Sequence, residues 1–437
     1  MCSIGEDDFG DEGGVHTMQA DPKLPASAIV SDEICKKCNE QTVAVKLNLK
    51  DAQCESCFFQ YVRHKLRAAM GSSKLIERGS KVLLVFDGTF EACVLLDMIH
   101  YAVSQEQFKR LTIQPHVVYV DDTCISRRSI DERQAKLDET FRILQHFGIE
   151  TYYASIASEG ATIKAQSLQL NQQEQLAAPE EKFVKKFNAI GNQTAKEDFI
   201  NVLKMNIYRA VAAQIDCKYV FVPSIGHEVA TNLLVNVALG RGKSVANDIS
   251  FCDNRSNGAA KIIRPMRNIS SLEVETYIRL DESLNRLTQN TSYLNVPGQK
   301  SVNSIQSLTK QFIDNLQENF ASTVSTVFRT GDKISAAAAT TQTSELDGDK
   351  PKQTCKFCHS DLDYEHSSTL FAIEYSRCVS ACADQNEVND VDLMLKKAED
   401  QVLGGKHDDN TDNLIKSLCH GCRNIFRDLN EPNSYVQ

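Results

Sequence analysis

The stretch KVLLVFDGTFEACVLL, from Lys81 to Leu96, contains the three parts of a strand–turn–helix unit. After one lysine the next five residues, Val82 to Phe86, are apolar, which is typical of a buried parallel strand. Residues Asp87 to Phe90 form a short turn that contains glycine, and an apolar-rich helix is expected from Glu91 onwards. The free backbone N–H groups at such a helix start can bind an anion, although many α/β proteins have an ordinary turn at this point.

The alternation of strand and helix continues along the chain. Further strands are expected at His116–Val120, Ile149–Ala154 and Tyr219–Val222, and a helix at Ile130–Phe147 is expected to end at Gly148. Alternating strands and helices form parallel sheets with right-handed crossovers. The sequence therefore predicts an α/β fold with a doubly wound parallel sheet, whose ligands bind beyond the carboxyl ends of the strands.

Composition excludes several classes of protein. The 437 residues carry a formal net charge of −10, which excludes a uniformly basic nucleic-acid binder but not a local basic face. No apolar run reaches the length of a membrane span, and the acidic N-terminus is not expected to be a signal peptide. The 15 cysteines favour reduced thiols and metal sites over disulfides.

Changes in composition divide the chain into segments. Residues 1–33 are acidic and lack periodicity, as expected of a disordered tail. The remaining segments are expected to be a zinc-knuckle module with a basic helix (34–79), an α/β domain with an inserted loop near 155–182 (80–296), a docked helix and linker (297–353) and a C-terminal zinc-knuckle module (354–437). Within the fourth segment we expect the helix at Ser304–Phe320 and the linker at Gly331–Lys352.

Eight of the cysteines form four Cys-x-x-Cys pairs, and we expect two structural zinc sites from them. The spacing C-x2-C-x15-C-x2-C of the first two pairs fits zinc, because each pair points two thiolates at one ion. The other two pairs are 60 residues apart and have competing cysteines between them, so their spacing is less specific. A redox pair, unrelated thiols or an iron–sulfur cluster are the alternatives. The expected ligands are Cys35, Cys38, Cys54 and Cys57, and then Cys355, Cys358, Cys419 and Cys422.

A basic helix is expected directly after the first cysteine module, between Phe58 and Ile76. It carries Arg63, Lys65 and Arg67. A run of charge is usually a solvated helix face, but beside a zinc knuckle it can also contact the phosphates of an RNA. Charge alone does not decide between these interpretations.

The opening stretch resembles the pyrophosphate loop of the N-type ATP pyrophosphatases, whose pattern after the strand is Ser-Gly-Gly-x-Asp-Ser. Asp87 stands at the first Ser, Gly88 and Thr89 at the two Gly, Glu91 at the Asp and Ala92 at the last Ser. A carboxylate at Asp87 would repel phosphate, and Thr89 does not readily adopt the positive φ that glycine allows. The resemblance implies a nucleotide-binding fold with a degenerate cofactor-binding loop.

Two later segments resemble the same proteins. Gly226-His227 matches a Gly-His-x-x-Asp-Asp motif of the family, but Ala230 and Thr231 replace the two acids. The segment that contains Arg264 and Arg267 resembles the family's Arg-Pro-Leu segment, where basic side chains face the cleft. The resemblance therefore implies a cofactor-binding turn at Gly226-His227. It also adds Arg264 and Arg267 to the residues expected to bind tRNA, beside those of the basic helix.

The tRNA-thiolating branch of the family has a Cys-x-x-Cys before the fourth strand, followed by an arginine. Arg209 fits that arginine, which places Val202 and Met205 at the cysteine positions. Neither side chain can carry sulfur to a substrate or bind an iron–sulfur cluster. If this chain were an active ATP-dependent tRNA sulfurtransferase, its nucleophile would have to come from the other core cysteines, which are Cys93, Cys124, Cys217 and Cys252.

From Cys35 to Cys422 the combination of these motifs resembles the family of second subunits of the cytosolic tRNA 2-thiolation complex. The resemblance implies a cytoplasmic protein without catalytic residues of its own, in a heterodimer whose active thiolase subunit alone binds ATP. It also implies tRNA and a ubiquitin-related sulfur carrier as partners. Direct contact with the carrier and indirect action, in which the catalytic subunit receives the sulfur, are both open. The implied product is 2-thiolated wobble uridine in the tRNAs for Lys, Glu and Gln. A zinc-knuckle RNA-binding scaffold unrelated to thiolation is the remaining alternative.

Overall fold

The structure is a computed structural model that describes the greater part of the chain. The described residues are 33–46, 52–106, 110–126, 129–157, 163–164, 173–253, 255, 260–289, 304–320, 322–341, 354–362, 379, 414, 417–426, 429 and 435. The predicted tail, up to residue 32, lies outside them. So do Cys378 and Cys382, the competing cysteines between the last two Cys-x-x-Cys pairs. The domain boundaries expected from composition stay a prediction.

One sheet forms the centre of the described structure. Its strands are Lys81–Phe86 (β1), Gln114–Asp121 (β2), Thr151–Ser155 (β3), Ile163–Lys164 (β4), Tyr219–Phe221 (β5), Cys252–Asp253 (β6) and Lys261–Ile263 (β7). The strand order is β4-β3-β2-β1-β5-β7-β6. Strand β1 pairs in parallel with β2 and β5, whereas the edge strands β4 and β6 are antiparallel to their neighbours. The predicted α/β fold with a mainly parallel sheet is confirmed.

Helices cover both faces of this sheet. They are Glu55–Ser73 (α1), Phe90–Ser104 (α2), Ile130–Phe147 (α3), Gln173–Ala189 (α4), Gln193–Gln214 (α5), Gly226–Ala238 (α6), Val245–Ile249 (α7), Ser271–Leu280 (α8), Glu282–Gln289 (α9), Ile305–Asn319 (α10), Thr323–Thr341 (α11) and His420–Phe426 (α12). No helix within the described residues is long and apolar enough to cross a membrane.

The side chains of β1 divide between two apolar clusters. Val82, Leu84 and Phe86 pack with residues of α1, α2 and α8 on one face of the sheet. Leu83 and Val85 pack on the other face, with residues of α5 and of the C-terminal cysteine module. Successive residues of a strand point to opposite faces, so a strand that is apolar throughout needs a layer on each side. The C-terminal cysteine module is thus part of the second layer.

Two segments differ from the expectations of the sequence. The predicted inserted loop near 155–182 contains β4 and the beginning of α4. The first part of the predicted linker, Gly331 to Thr341, is the second half of α11, and its remainder lies outside the described residues. Glycine usually weakens a helix, by about 1 kcal/mol relative to alanine. At Gly331, however, an added Cβ would lie 2.6 Å from Ile249 Cδ1 and 2.7 Å from Leu233 Cδ1. The glycine therefore lets α11 approach α6 and α7 closely, and this packing outweighs its low helix propensity.

The predicted docked helix is present as α10. Ser304 caps it, with its side chain accepting a hydrogen bond from the Ser307 backbone N–H. The Ser304 hydroxyl also donates to Glu197 Oε2 at 2.8 Å, which ties the helix start to α5. Ile313 is fully buried, and α10 packs along α6. Helix α10 is consequently positioned next to the turn that follows β5.

Candidate functional site

The turn after β1 is closed by its own side chains. Gly88 has a φ of 81°, the left-handed conformation that glycine adopts without strain. Asp87 Oδ1 accepts from the Thr89 backbone N–H at 3.1 Å and from the Thr89 hydroxyl at 2.6 Å. The Thr89 hydroxyl in turn accepts from the Ala92 N–H at 3.2 Å, which caps α2. Two N–H groups that a phosphate could use are therefore bonded within the turn.

Several carboxyl groups lie near one another at this edge of the sheet, where β1 and β5 end. Burial raises the pKa of Glu228, in the first turn of α6, to about 8, and the nearby charges of Asp87 and Glu91 add to the effect. Burial also raises the pKa of Glu91, again with a contribution from Asp87. Lys310 of α10 partly offsets both effects. The edge where a nucleotide would bind in a parallel sheet thus carries negative charge, which disfavours phosphate.

The second predicted cofactor-binding turn, at Gly226-His227, is also filled by groups of the chain itself. Gly226 has no room for a Cβ, because that atom would lie 2.9 Å from the Arg267 carbonyl oxygen. His227 Nε2 lies 2.8 Å from Asp314 Oδ1 on α10, and burial lowers the pKa of this histidine although Asp314 opposes the shift. The two positions that would hold acids are inside the fold, where Ala230 is fully buried and the Thr231 hydroxyl donates to the His227 carbonyl.

The residues at the predicted sulfur-carrying positions lie under the C-terminal cysteine module. Val202 and Met205 pack against the apolar cluster that includes Phe357. The Phe357 ring stacks on Phe199 of α5 with a centroid distance of 5.6 Å, and its carbonyl accepts from Asn206 Nδ2 at 2.8 Å. This surface of α5 is therefore a packing interface within the chain.

The remaining core cysteines favour the protonated thiol over the reactive thiolate. Burial raises the pKa of Cys93, Cys124 and Cys217 to about 12 each, and it also raises the pKa of Cys252. Near Cys93 the carboxylates of Asp87 and Glu91 strengthen the effect. Since the thiolate is the reactive form, these side chains are poorly suited to attack a substrate.

The N-terminal cysteines meet in one place. The sulfur atoms of Cys35, Cys38, Cys54 and Cys57 all lie within 4.8 Å of one another. The distance from Cys38 Sγ to Cys54 Sγ is 3.7 Å, close to the edge of about 3.8 Å in a tetrahedron with Zn–S bonds of about 2.3 Å. Burial opposes ionisation of Cys35, but hydrogen bonds from neighbouring backbone N–H groups lower its pKa to about 6. The arrangement fits one tetrahedral metal ion.

The C-terminal cysteines also meet, although 60 residues separate the two pairs. The sulfur atoms of Cys355, Cys358, Cys419 and Cys422 lie within 4.8 Å of one another, and those of Cys358 and Cys419 are 3.5 Å apart. Four thiolates at these distances again fit a single ion, whereas a cluster of several irons and sulfides needs a wider cage. The structure thus brings together both predicted sets of ligands, and it leaves the identity of the metal open.

Two of the predicted tRNA-binding residues hold α1 on the sheet domain. Arg63 Nε donates to the Tyr277 hydroxyl at 2.8 Å, and its guanidinium lies 3.7 Å from the centre of the Tyr101 ring. Arg63 also pairs with Asp97, at 3.4 Å. Lys65 Nζ lies 2.6 Å from Glu273 Oε1. These partners are distant in sequence, so the charge pattern of α1 gave no sign of them.

The other three predicted tRNA-binding residues have different surroundings. Arg264 is buried and donates to the backbone oxygens of Asn247 and Ser250 at 3.0 and 3.1 Å. The Arg267 guanidinium lies 5.3 Å from the centre of the Phe328 ring. Arg67 is half-buried on α1. Contact with tRNA stays a prediction for all five residues.

Some residues of the site were not predicted. Glu228 follows Gly226-His227 directly, and its position in the turn could have identified it. Lys310 and Asp314 are more than 80 residues further along the chain and carry no local signal.

Comparison with known proteins gives the family of the chain. A family model described as cytoplasmic tRNA 2-thiolation protein 2 matches residues 304–424. Among solved structures, the U34-tRNA thiolase NcsA from Methanococcus maripaludis with its 4Fe-4S cluster has 16% sequence identity, with 69% of this chain and 88% of that one covered and a TM-score of 0.48.

Two curated relatives bear the name cytoplasmic tRNA 2-thiolation protein 2. The relative from Aedes aegypti is 41% identical, and the match covers 98% of this chain and 99% of the relative. The relative from Drosophila melanogaster is 38% identical, with 99% of this chain and 100% of the relative covered. With such identity along nearly its whole length, the chain belongs to the cytoplasmic tRNA 2-thiolation protein 2 family.

Proposed function

We propose that this chain is the non-catalytic subunit of a cytoplasmic, heterodimeric tRNA thiolase. In this proposal it is required for 2-thiolation of the wobble uridine in the tRNAs for Lys, Glu and Gln. Its catalytic partner binds ATP and receives sulfur from a ubiquitin-related carrier. The names of the relatives from Aedes aegypti and Drosophila melanogaster support a role in cytoplasmic tRNA thiolation.

The turn after β1 carries the argument against catalysis by this chain. Its Thr89 and Ala92 N–H groups are bonded to side chains of the turn itself. A triphosphate would have to replace those bonds and also approach Asp87, Glu91 and the buried Glu228. The contacts with Asp87 and Glu91 would bring negative charge against negative charge in a partly buried site, where water screens it poorly. Glu228, with its pKa raised to about 8, is largely protonated near neutral pH and adds bulk rather than charge. ATP binding is therefore assigned to the partner.

We propose that both four-cysteine clusters hold zinc in a structural role. Each cluster has four sulfur ligands and no open position, which is typical of structural rather than catalytic zinc. The bound ion would supply folding energy to each module, and no chemistry on the substrate. The N-terminal cluster would order the start of α1, because α1 begins at Glu55, between two of the cysteines.

tRNA binding is assigned to the predicted basic residues, with the structural contacts taken into account. Replacing Arg63 or Lys65 would also loosen α1, since both make contacts within the chain. Arg67 and Arg267 take no part in these two ion pairs, although Arg267 lies near the Phe328 ring, so they are tested together and the fold of the variant is checked by circular dichroism. Reversing their charge should weaken tRNA binding and reduce its dependence on salt. Arg286, an exposed arginine on α9, is a matched control.

The decisive experiment measures 2-thiouridine by mass spectrometry in tRNA from cells that lack the protein. We expect the modification to be lost, and to return with the wild-type chain and with Arg286→Glu. The double variant Arg67→Glu, Arg267→Glu should restore it poorly although it still binds the partner. Unchanged 2-thiouridine in cells without the protein would refute the role in thiolation and favour an RNA-binding scaffold.

A calorimetric titration tests the absence of catalysis separately. The isolated chain should show weak or no ATP binding and no cleavage of ATP to AMP and pyrophosphate. The triple variant Asp87→Ser, Thr89→Gly, Ala92→Ser removes the bonds within the turn and one charge, so we expect it to bind ATP more tightly than the wild type. Tight binding or cleavage by the wild-type chain alone would contradict the proposal.

A further inference from the structure

The loop after α6 and the last cysteine pair fit into each other. Gly240 has a φ of 78°, and an added Cβ there would lie 2.4 Å from His420 Cδ2. An added Cβ at Gly421 would lie 2.7 Å from the guanidinium carbon of Arg241. Because Gly240 has no side chain, there is room for His420. Because Gly421 has none, there is room for Arg241. The contact joins the sheet domain to the segment between Cys419 and Cys422.

Arg241 lies at the centre of this contact. Its side chain is 4% exposed, and its Nη1 and Nη2 donate to Asp198 Oδ1 and Oδ2 at 2.9 and 2.7 Å. Nη2 also lies 3.5 Å from Cys422 Sγ, within hydrogen-bond distance of a sulfur atom. The guanidinium therefore joins a carboxylate of α5 to a metal-ligating thiolate.

The charges of the cluster explain why an arginine is useful here. Four thiolates around one divalent ion leave a net charge of −2, and burying such a charge is unfavourable without a compensating group. Arginine is always protonated and offers several N–H donors in a fixed plane, so it can serve Asp198 and Cys422 together. A partner outside the ligands that donates to a metal-bound atom fixes the ligand and tunes the site.

A second set of contacts returns from Arg241 to the same module. Asn236 Oδ1 lies 3.4 Å from Arg241 Nη1, and Asn236 Nδ2 donates to Asp248 at 2.8 Å. Asp248 pairs with Arg255 at 2.7 Å, and Arg255 Nη1 donates to the Ser360 hydroxyl at 3.3 Å. Ser360 comes two residues after the metal ligand Cys358. Both halves of the cluster are therefore linked to one buried polar network of the sheet domain.

We infer that Arg241 is a positioning residue for the metal ion of the C-terminal cluster. It makes metal retention by this cluster and docking of the C-terminal module on α5 a single event. The inference rests on the proposed metal in the cluster and is independent of the role in tRNA thiolation. The N-terminal cluster has no arginine among the contacts described for its four sulfur atoms, so the two clusters should respond differently to the same perturbation.

Zinc transfer from the full-length chain to a coloured chelator tests the inference. The variant Cys355→Ser, which lacks the C-terminal site, identifies which phase of release belongs to which cluster. In Arg241→Lys and Arg241→Gln we expect release from the C-terminal cluster to become about 10- to 100-fold faster, while release from the N-terminal cluster is unchanged. Arg133→Lys is the control, because this partly buried arginine also pairs with a carboxylate, Glu180 at 2.8 Å, while its described contacts reach neither cluster. It should leave both phases unchanged.

The variant Gly421→Ala tests the geometry. Its Cβ would displace the guanidinium while every metal ligand stays in place. It should therefore speed zinc release in the wild-type background and add little in the Arg241→Gln background. Equal effects in both backgrounds would mean that Arg241 does not mediate them.

Hydrogen exchange measured by mass spectrometry provides a readout if the arginine variants fail to fold. Loss of the C-terminal metal in Cys355→Ser should reduce protection at the loop 239–244 and at the first turns of α5, neither of which contains a metal ligand. Cys54→Ser should leave those amides unchanged. The inference is overturned if zinc release in Arg241→Lys matches the wild type, if Cys355→Ser leaves the loop protected, or if the wild-type cluster holds no metal.

Discussion

Replacing Glu228 by glutamine should stabilise the protein above about pH 6 and change its pH dependence. In the folded chain, burial first and then the charges of Asp87 and Glu91 raise the pKa of Glu228 from 4.5 to about 8. The folded state therefore binds more protons than the unfolded state between these values. Where that holds, the free energy of unfolding falls as the pH rises. Glutamine keeps the shape of the side chain and cannot ionise, so it should remove this loss.

The size of the effect follows from the pKa values. At about 1.4 kcal/mol for each pH unit, a rise from 4.5 to about 8 corresponds to a loss of roughly 5 kcal/mol once the carboxyl is fully ionised. Local rearrangement and Lys310 would reduce it, so a difference of about 2 to 4 kcal/mol between variant and wild type is expected near pH 8.5. Near pH 5 the difference should fall below about 1 kcal/mol.

Denaturant unfolding followed by circular dichroism between pH 5 and pH 8.5 measures this difference. Glu77→Gln is the control, because Glu77 is exposed and pairs with Lys218, which lowers its pKa and places its titration below the window. This control should follow the wild-type profile. If Glu228→Gln and the wild type lose stability in parallel as the pH rises, Glu228 is not the group responsible, and the argument for a carboxylate-filled edge of the sheet fails.

Three other perturbations follow from the contacts. Gly331→Ala should destabilise the chain by about 1 to 3 kcal/mol in thermal or chemical unfolding, because the new methyl group meets Ile249 and Leu233; unchanged stability would disprove close packing of α11. Arg63→Met should cost about 1 to 3 kcal/mol by leaving Asp97 without its cation, and should increase hydrogen exchange in α1; normal protection of α1 would contradict this. Cys54→Ser should reduce the zinc content from two ions per chain to one, which elemental analysis measures, and an unchanged content would exclude the N-terminal site.

Local signals in the sequence predicted the central elements well. The continuous apolar run gave β1 with its observed bounds, Lys81–Phe86. Helix α3 also has the predicted bounds, because Ser129 and Glu132 form a capping box and Gly148 adopts a left-handed conformation after the last turn. Each of these signals depends on residues within a few positions of one another. Strands β4 and β6, with two residues each, are too short to show a period and were missed.

In the candidate site, too, features set by neighbouring residues could be predicted, whereas contacts between residues distant in sequence could not. The cysteine pairs were recognisable because the spacing of two ligands on one knuckle is local, and the structure brought the pairs together. The partners of Arg63 could not be read in this way, since Asp97 and Tyr277 are 34 and 214 residues away. A basic helix face that looked available for RNA is thus partly used to hold the N-terminal module in place.

The covering of α5 by the end of the chain has a consequence for protein synthesis. Ser304 reaches back 107 residues to Glu197, and Cys422 lies 181 residues after its contact Arg241. A ribosome therefore releases α5 and α6 long before the residues that bury their apolar side chains exist, and Phe199 stays exposed on the growing chain. Exposed apolar surface of this kind binds chaperones and promotes aggregation. A premature stop codon just before Cys419 would remove two ligands of the C-terminal cluster together with Ile425 and Phe426, and would so weaken the covering of α5. Even this short truncation should reach the degradation machinery rather than accumulate as a smaller working protein.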